Sequence, residues 1–219
     1  MIIYYINLDT ATLRRNKFQT KDFCRFRAIP RDEVPELVDK KMISMYNFGR
    51  DSHLARCGCF LSHIKLLEKI VNENLEDVLV LEDDAIQVNN LPIDYPRDGI
   101  VYVGGFIYNR KMMDETQPKI NHEIGINLCP ENFRILGTLA YIIPNSQIAL
   151  TILSRIYSQN RYKAIDIMYG NIGMKQYYNY PGSFREEGCP SQISRKVKIQ
   201  TESYEFINFN TYQKNRSFF

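Results

Sequence analysis

Nowhere in the 219-residue sequence do apolar residues run on for anything near the roughly 20 positions that a membrane-spanning helix needs. The apolar start "MIIYYINLD" reaches an aspartate at position 9 and lacks the long uncharged core of a signal peptide. The expectation is a soluble, cytoplasmic protein, peripheral to a membrane at most. Charge of one sign is also missing. Lysine and arginine number 28 against 25 acidic residues, a formal charge of +3, and the basic residues are scattered in ones and twos, which excludes a nucleic-acid binder. The five cysteines, Cys24, Cys57, Cys59, Cys129 and Cys189, are odd in number and irregular in spacing. That pattern is neither a zinc motif nor a disulfide framework, and it reads as free thiols. No Gly-x-x-x-x-Gly-Lys loop is present to cradle a phosphate, which counts against a nucleotidyltransferase or a similar phosphate-handling enzyme. Internal repeats and low-complexity tracts are absent as well.

With 44% hydrophobic residues, the chain can bury a full core. Residues 1–195 read as one domain and 196–219 as a tail packed on it. Strand-like runs fall at Met1–Leu8, "FCRFRAIP", Val78–Leu81, "GIVYVGG", "FRILGTLAYIIP" and "MKQYYNYP". Helical spacing appears in "TATLRRNKF" with Thr10 as its cap, from Glu33 to Tyr46, in "GCFLSHIKLLEKIVNEN", in "NSQIALTILSRIYSQ" capped at Asn145 or Ser146, and in "AIDIMYG". The polar stretch 106–132 predicts no regular structure, as a mobile flap would have, and the tail gives no pattern. Strands alternating with helices predict an α/β layer structure with a mostly parallel sheet. Ligands of such sheets bind beyond the carboxyl ends of the strands.

One such end carries chemistry. In "DVLVLEDDAIQV" an apolar strand stops at Glu82, Asp83 and Asp84 with no lysine or arginine nearby in sequence. Two like charges about 4 Å apart repel by roughly 4 kcal/mol at an effective dielectric near 20. The triplet therefore projects into water, or meets arginines from elsewhere in the chain, or holds a divalent cation. Magnesium and manganese take oxygen ligands and commonly bridge carboxylates to a substrate's phosphates. The triplet by itself leaves all three open.

The triplet does not stand alone. "IYYINLD", an arginine pair, "FRAI", "GCFLSHIKLLEKIV" and "VLVLEDDA" follow one another in an order that resembles the blocks of glycosyltransferase family 25, which includes bacterial lipooligosaccharide and collagen galactosyltransferases. Later, "LGTLAYIIPNSQIAL" and "AIDIMYG" resemble two further blocks of that family. The likeness runs from about Ile3 to Ser194. It implies a GT-A type, Rossmann-like α/β fold and an inverting, metal-dependent hexosyltransferase that uses UDP-galactose or UDP-glucose as donor and a glycan or hydroxylated molecule as acceptor. A catalytically inactive nucleotide-sugar or glycan-binding module of the same fold is the alternative. Two departures stand out. Ala55 and Arg56 replace the Gly-Glu usual before "GC", and Ser191, Gln192 and Ile193 replace a Ser-Asp-Ile.

On that resemblance Asp84 and Glu82 would hold manganese or magnesium, and Glu82 or Asp83 would also hold the ribose or a coordinated water. Asp166, between apolar Ile165 and Ile167, is the candidate base that takes the acceptor's proton, against a plain helix-capping aspartate. Asn7 and Leu8 close the first strand, where the nucleotide base would be gripped, or merely begin a loop. Arg14 and Arg15 could reach the diphosphate, and Arg15 is the one assigned to the donor. Ala28 would leave room for uracil. Ser62 and His63 sit early in the strongest helix as donor contacts, with a satisfied core residue the alternative for His63. Gly137 and Thr138 would let backbone approach the sugar, or mark a bulge. His53 and His122 have no motif around them.

Overall fold

Residues 1–18, 22–37, 51–109, 122–131 and 133–187 are described by the computed structural model. In chain order the elements are β1 (Ile2–Asn7), α1 (Thr12–Asn16), β2 (Cys24–Arg27), α2 (Val34–Leu37), α3 (Asp51–Asn72), β3 (Val78–Glu82), β4 (Ala85–Gln87), β5 (Gly99–Asn109), β6 (Gly125–Leu128), β7 (Phe133–Ile143), α4 (Ser146–Tyr157), α5 (Ile165–Asn171), β8 (Lys175–Tyr180) and β9 (Phe184–Glu186).

Seven strands form one sheet in the order β2-β1-β3-β7-β5-β8-β6. β1 pairs in parallel with β2 and β3, and β5 with β8. β7 runs antiparallel to both β3 and β5, and β6 antiparallel to β8. The sheet is therefore mixed, with five of its seven strands pointing one way. A second, two-stranded sheet pairs β4 with β9.

Why β3 reads as an unbroken apolar run follows from its place. Successive side chains of a strand point to opposite faces, and both faces of this sheet are covered. Val78 and Val80 join the core under α3, α4 and α5, while Leu79 and Leu81 join a second core with Tyr5, Phe18, Ala85, Val103 and Phe184. On α3, buried Phe60, Ile64 and Leu67 face the sheet at helical spacing. Lys65 meets Glu68 at 2.8 Å on its wet side.

α4 starts where its sequence predicts: the Asn145 side-chain oxygen accepts from the Ile148 N–H at 2.9 Å. Asn145→Ala is expected to lower stability by about 1 kcal/mol, measured as a shift of the urea midpoint at constant slope.

Four expectations need correction. Thr10 does not cap α1; the cap position is Ala11, which makes no side-chain cap bond, and the single turn is held instead by Asn7 donating to the Ala11 carbonyl. α3 begins seven residues before the expected Gly58, at Asp51. β5 continues through Gly104 and Gly105 to Asn109, because the glycine pair makes bulges against β7 instead of ending the strand. β6 supplies a further strand inside 106–132, on the strength of its pairing with β8. Of the Glu33–Tyr46 helix, α2 is the described part; the rest, like positions 110–121 of the expected flap, Cys189, Ser191 to Ile193 and the 196–219 tail, lies outside the described residues. No helix among the described residues is long and apolar enough to cross a membrane.

Candidate functional site

β1, β3 and β5 deliver their carboxyl ends to one side of the sheet, and there the acidic triplet sits. Alternation divides it. Glu82 and Asp84 line a cleft together with Gly105, Phe106, Gly137, Thr138, Leu139, Phe184, Arg185 and Glu186. Asp83 is turned toward β1, accepting from the Asn7 amide at 2.8 Å and from Arg14 at 2.5 Å. Arg14 also stands 3.5 Å from Asp84. An arginine remote in sequence thus answers part of the charge, as one of the three open possibilities required.

Asn7 is the hub of the β1 end. The residue is 1% exposed. Beyond Asp83 it accepts through its amide oxygen from Arg15 Nε at 3.2 Å and Arg25 Nε at 3.3 Å. Its main-chain carbonyl takes the Ala28 N–H at 3.0 Å, so Ala28 is tied to the same point. Arg15 donates in addition to the carbonyls of Leu8 and Asp9. Arg25 and Arg27 both bind Asp9, and those bonds hold its carboxyl down to about 2. Asn7, Leu8, Arg15, Ala28 and Asp83 therefore form one connected group.

Glu82, Gly137, Thr138 and Asp84 form the second group, at the cleft. The Thr138 hydroxyl donates to Glu82 Oε1 at 2.5 Å. Burial first, and then the neighbouring charge of Asp84, push the Glu82 carboxyl up to about 8. Gly137 lies at φ +80°, a conformation open to glycine, and Gly105 at φ +120° faces it. A side chain at Gly105 would meet the Gly137 and Leu136 carbonyls at 2.9 Å. The two glycines let backbone form the cleft wall.

His63 is buried behind Glu82, with Nε2 at 3.8 Å from Oε1. Its Nδ1 contacts the Tyr141 hydroxyl at 2.7 Å, and that hydroxyl reaches Tyr169 at 3.3 Å. Burial drives the His63 imidazole down to about 3, so it is neutral at working pH. Ser62 points elsewhere: it donates to the Gly58 carbonyl at 2.6 Å and accepts from the Ile29 N–H at 2.8 Å. It is fully buried and locks α3 to the residues after β2. Asp166, in the first turn of α5 and half-buried, is bonded to the backbone of the cleft wall, its two oxygens accepting from the N–H groups of Gly137 at 3.2 Å and Ile167 at 2.8 Å.

Sequence reasoning did not anticipate Gly105, Phe106, Phe184, Arg185 and Glu186 as cleft residues. A glycine pair inside an apolar strand is a bulge signal and could have located the first two. β9 is three residues long and carries no period that would mark it.

Comparison with known proteins agrees with the order of motifs. The model of glycosyltransferase family 25 (LPS biosynthesis protein) matches residues 1–169. Two proteins named glycosyltransferase 25 family member, from Anopheles gambiae and Aedes aegypti, are 35% and 36% identical over 99 aligned residues. Those alignments cover 37% of this chain and 16% of each relative, so this chain matches a small part of their length. Among solved structures, a nucleoside-diphosphate-sugar pyrophosphorylase from Vibrio cholerae RC9 overlaps 82% of this chain and 72% of its own at 14% identity, with a TM-score of 0.32, too loose a likeness to carry an inference. The family match takes in β1, the acidic triplet, the Gly137–Thr138 wall and Asp166 in a single span, and on it the chain belongs to glycosyltransferase family 25.

Proposed function

We propose that this chain transfers a hexose, galactose or glucose, from a UDP-sugar to a carbohydrate or other hydroxylated acceptor, with inversion at the anomeric carbon and with manganese or magnesium as cofactor. The observation that carries the reading is the placement of Glu82 and Asp84 on one cleft at the carboxyl ends of the parallel strands, with Asp83 turned out of it.

The donor set fits a hard divalent cation. Glu82 and Asp84 both offer the oxygen ligands such an ion takes, and the Asp84 charge adds to burial in pushing the Glu82 carboxyl up. Held there, such an ion supplies Lewis-acid charge to a diphosphate. Other residues have their own tasks. The Asn7, Arg15 and Ala28 group offers donors and a small side chain at the end of β1, where the nucleotide would lie. The backbone at Gly137 and the side chain of Thr138 wall the sugar. Arg14 keeps Asp83 out of the cleft, which leaves Glu82 and Asp84 to face it. In the transfer itself the acceptor oxygen bonds to the anomeric carbon as the bond to the diphosphate oxygen breaks. UDP leaves with that electron pair, and the acceptor's proton passes to Asp166.

Release of UDP from UDP-galactose or UDP-glucose, measured with and without manganese, tests the activity. Binding without turnover would leave a carbohydrate-binding module. Asp166→Asn is expected to lower transfer by roughly 10²- to 10⁴-fold. Asparagine keeps an oxygen that accepts from the Gly137 N–H. Near wild-type transfer would therefore reduce Asp166 to a residue that orients the wall.

A further inference from the structure

Behind the cleft a second set of potential ligands converges, different in chemistry from the oxygens of Glu82 and Asp84. Cys59 and His63 are four residues apart on α3 and so share one of its faces. Glu82, ending β3, comes up against that face. One ligand atom from each, a sulfur, an imidazole nitrogen and a carboxylate oxygen, lie within 4.8 Å of one another. We propose that Cys59, His63 and Glu82 form a binding site for a borderline-soft divalent cation of the zinc class.

Three features support it. Zinc bonds of roughly 2.0 to 2.3 Å in tetrahedral geometry set ligand atoms between about 3 and 4 Å apart. Small side-chain rotations close the remaining gap. The His63 ring is already oriented: the Nδ1 contact with Tyr141 leaves Nε2 directed at Glu82, 3.8 Å from Oε1. A metal-binding histidine is ordinarily held through its other nitrogen in this way. Glu82 is likewise held, by the Thr138 hydroxyl. A thiolate with an imidazole selects zinc over manganese or magnesium, which prefer oxygen. Three protein ligands leave one position of the ion open to water or a ligand. Because Glu82 also lines the cleft, filling this site draws it away from Asp84. Zinc therefore slows transfer, a consequence that alone rests on the transferase reading.

The test is a cobalt titration of the untagged, reduced, metal-stripped full chain. The expected result is a thiolate-to-cobalt charge-transfer band that saturates at one equivalent and is displaced by zinc. Cys59→Ser should abolish the band and weaken zinc binding by roughly a hundredfold or more. Cys24→Ser, which removes an exposed thiol elsewhere, should leave both unchanged. X-ray absorption at the zinc edge on the unmutated chain needs no variant to fold, and it should show one sulfur at about 2.3 Å beside nitrogen and oxygen. No charge-transfer band, a band that survives Cys59→Ser or vanishes with Cys24→Ser, or a zinc shell without sulfur overturns the site. None of these readings uses a sugar donor, so they stand or fall separately from UDP release.

Discussion

Asp84→Asn is expected to cut the proposed hexose transfer by roughly a thousandfold while leaving the chain folded. The substitution keeps the size and hydrogen-bonding reach of the side chain and removes its charge. The turn that carries it is held by main chain: the Glu187 N–H donates to the Asp84 carbonyl at 2.7 Å, and Ala85 pairs with Glu186 across the small sheet. Removal of one carboxylate from beside Glu82 also relieves repulsion, so the melting temperature should hold or rise slightly. On the proposed reading, UDP and manganese together should stabilise the wild type and leave this variant unchanged. Asp83→Asn makes the contrast. Asp83 faces Asn7 and Arg14, so its loss should tell more on stability than on turnover. If Asp84→Asn kept transfer within a few-fold of wild type while Asp83→Asn abolished it, the cation would belong on the other side of the triplet.

Gly58→Ala should destabilise the protein by about 2 kcal/mol, against the gain of up to about 1 kcal/mol that alanine normally brings to a helix interior. A Cβ at Gly58 would lie 2.5 Å from the Ile29 carbonyl oxygen. That obstacle is backbone, so α3 itself must move away. The movement also strains the Ser62 hydroxyl, which bridges the Gly58 carbonyl and the Ile29 N–H. For a chain of this size the loss corresponds to a fall of about 4 to 8 °C in melting temperature. A rise instead would show that helix propensity outweighs the close approach.

These two glycine and serine positions show what a one-dimensional reading can and cannot reach. The apolar run before Glu82 and the spacing of Phe60, Ile64 and Leu67 announce a two-sided strand and an amphipathic helix, because burial imposes those periods directly. The alternation that parts Asp83 from Glu82 and Asp84 is legible for the same reason. Ser62, read as a donor contact, instead closes a backbone junction, since a hydroxyl's partner is set by which loop the helix packs on and not by local pattern. Arg14 reaches Asp83 across 69 positions of sequence, and Ala85 of β4 meets Glu186 of β9 across 101; neither encounter leaves a periodic trace. Gly104 and Gly105 mislead in the opposite direction, for a bulge and a strand end use the same residue.

The small β4–β9 sheet also sets an order of events at the ribosome. β1, β2 and β3 can pair once the chain has been made as far as Glu82, but the Asp84 turn gains its main-chain anchor at Glu187 only about a hundred residues later. At ordinary elongation rates that interval is on the order of ten seconds. A nascent chain therefore carries its acidic turn without this main-chain anchor while about a hundred residues are added, and the cleft acquires its final outline at the close of translation of this region.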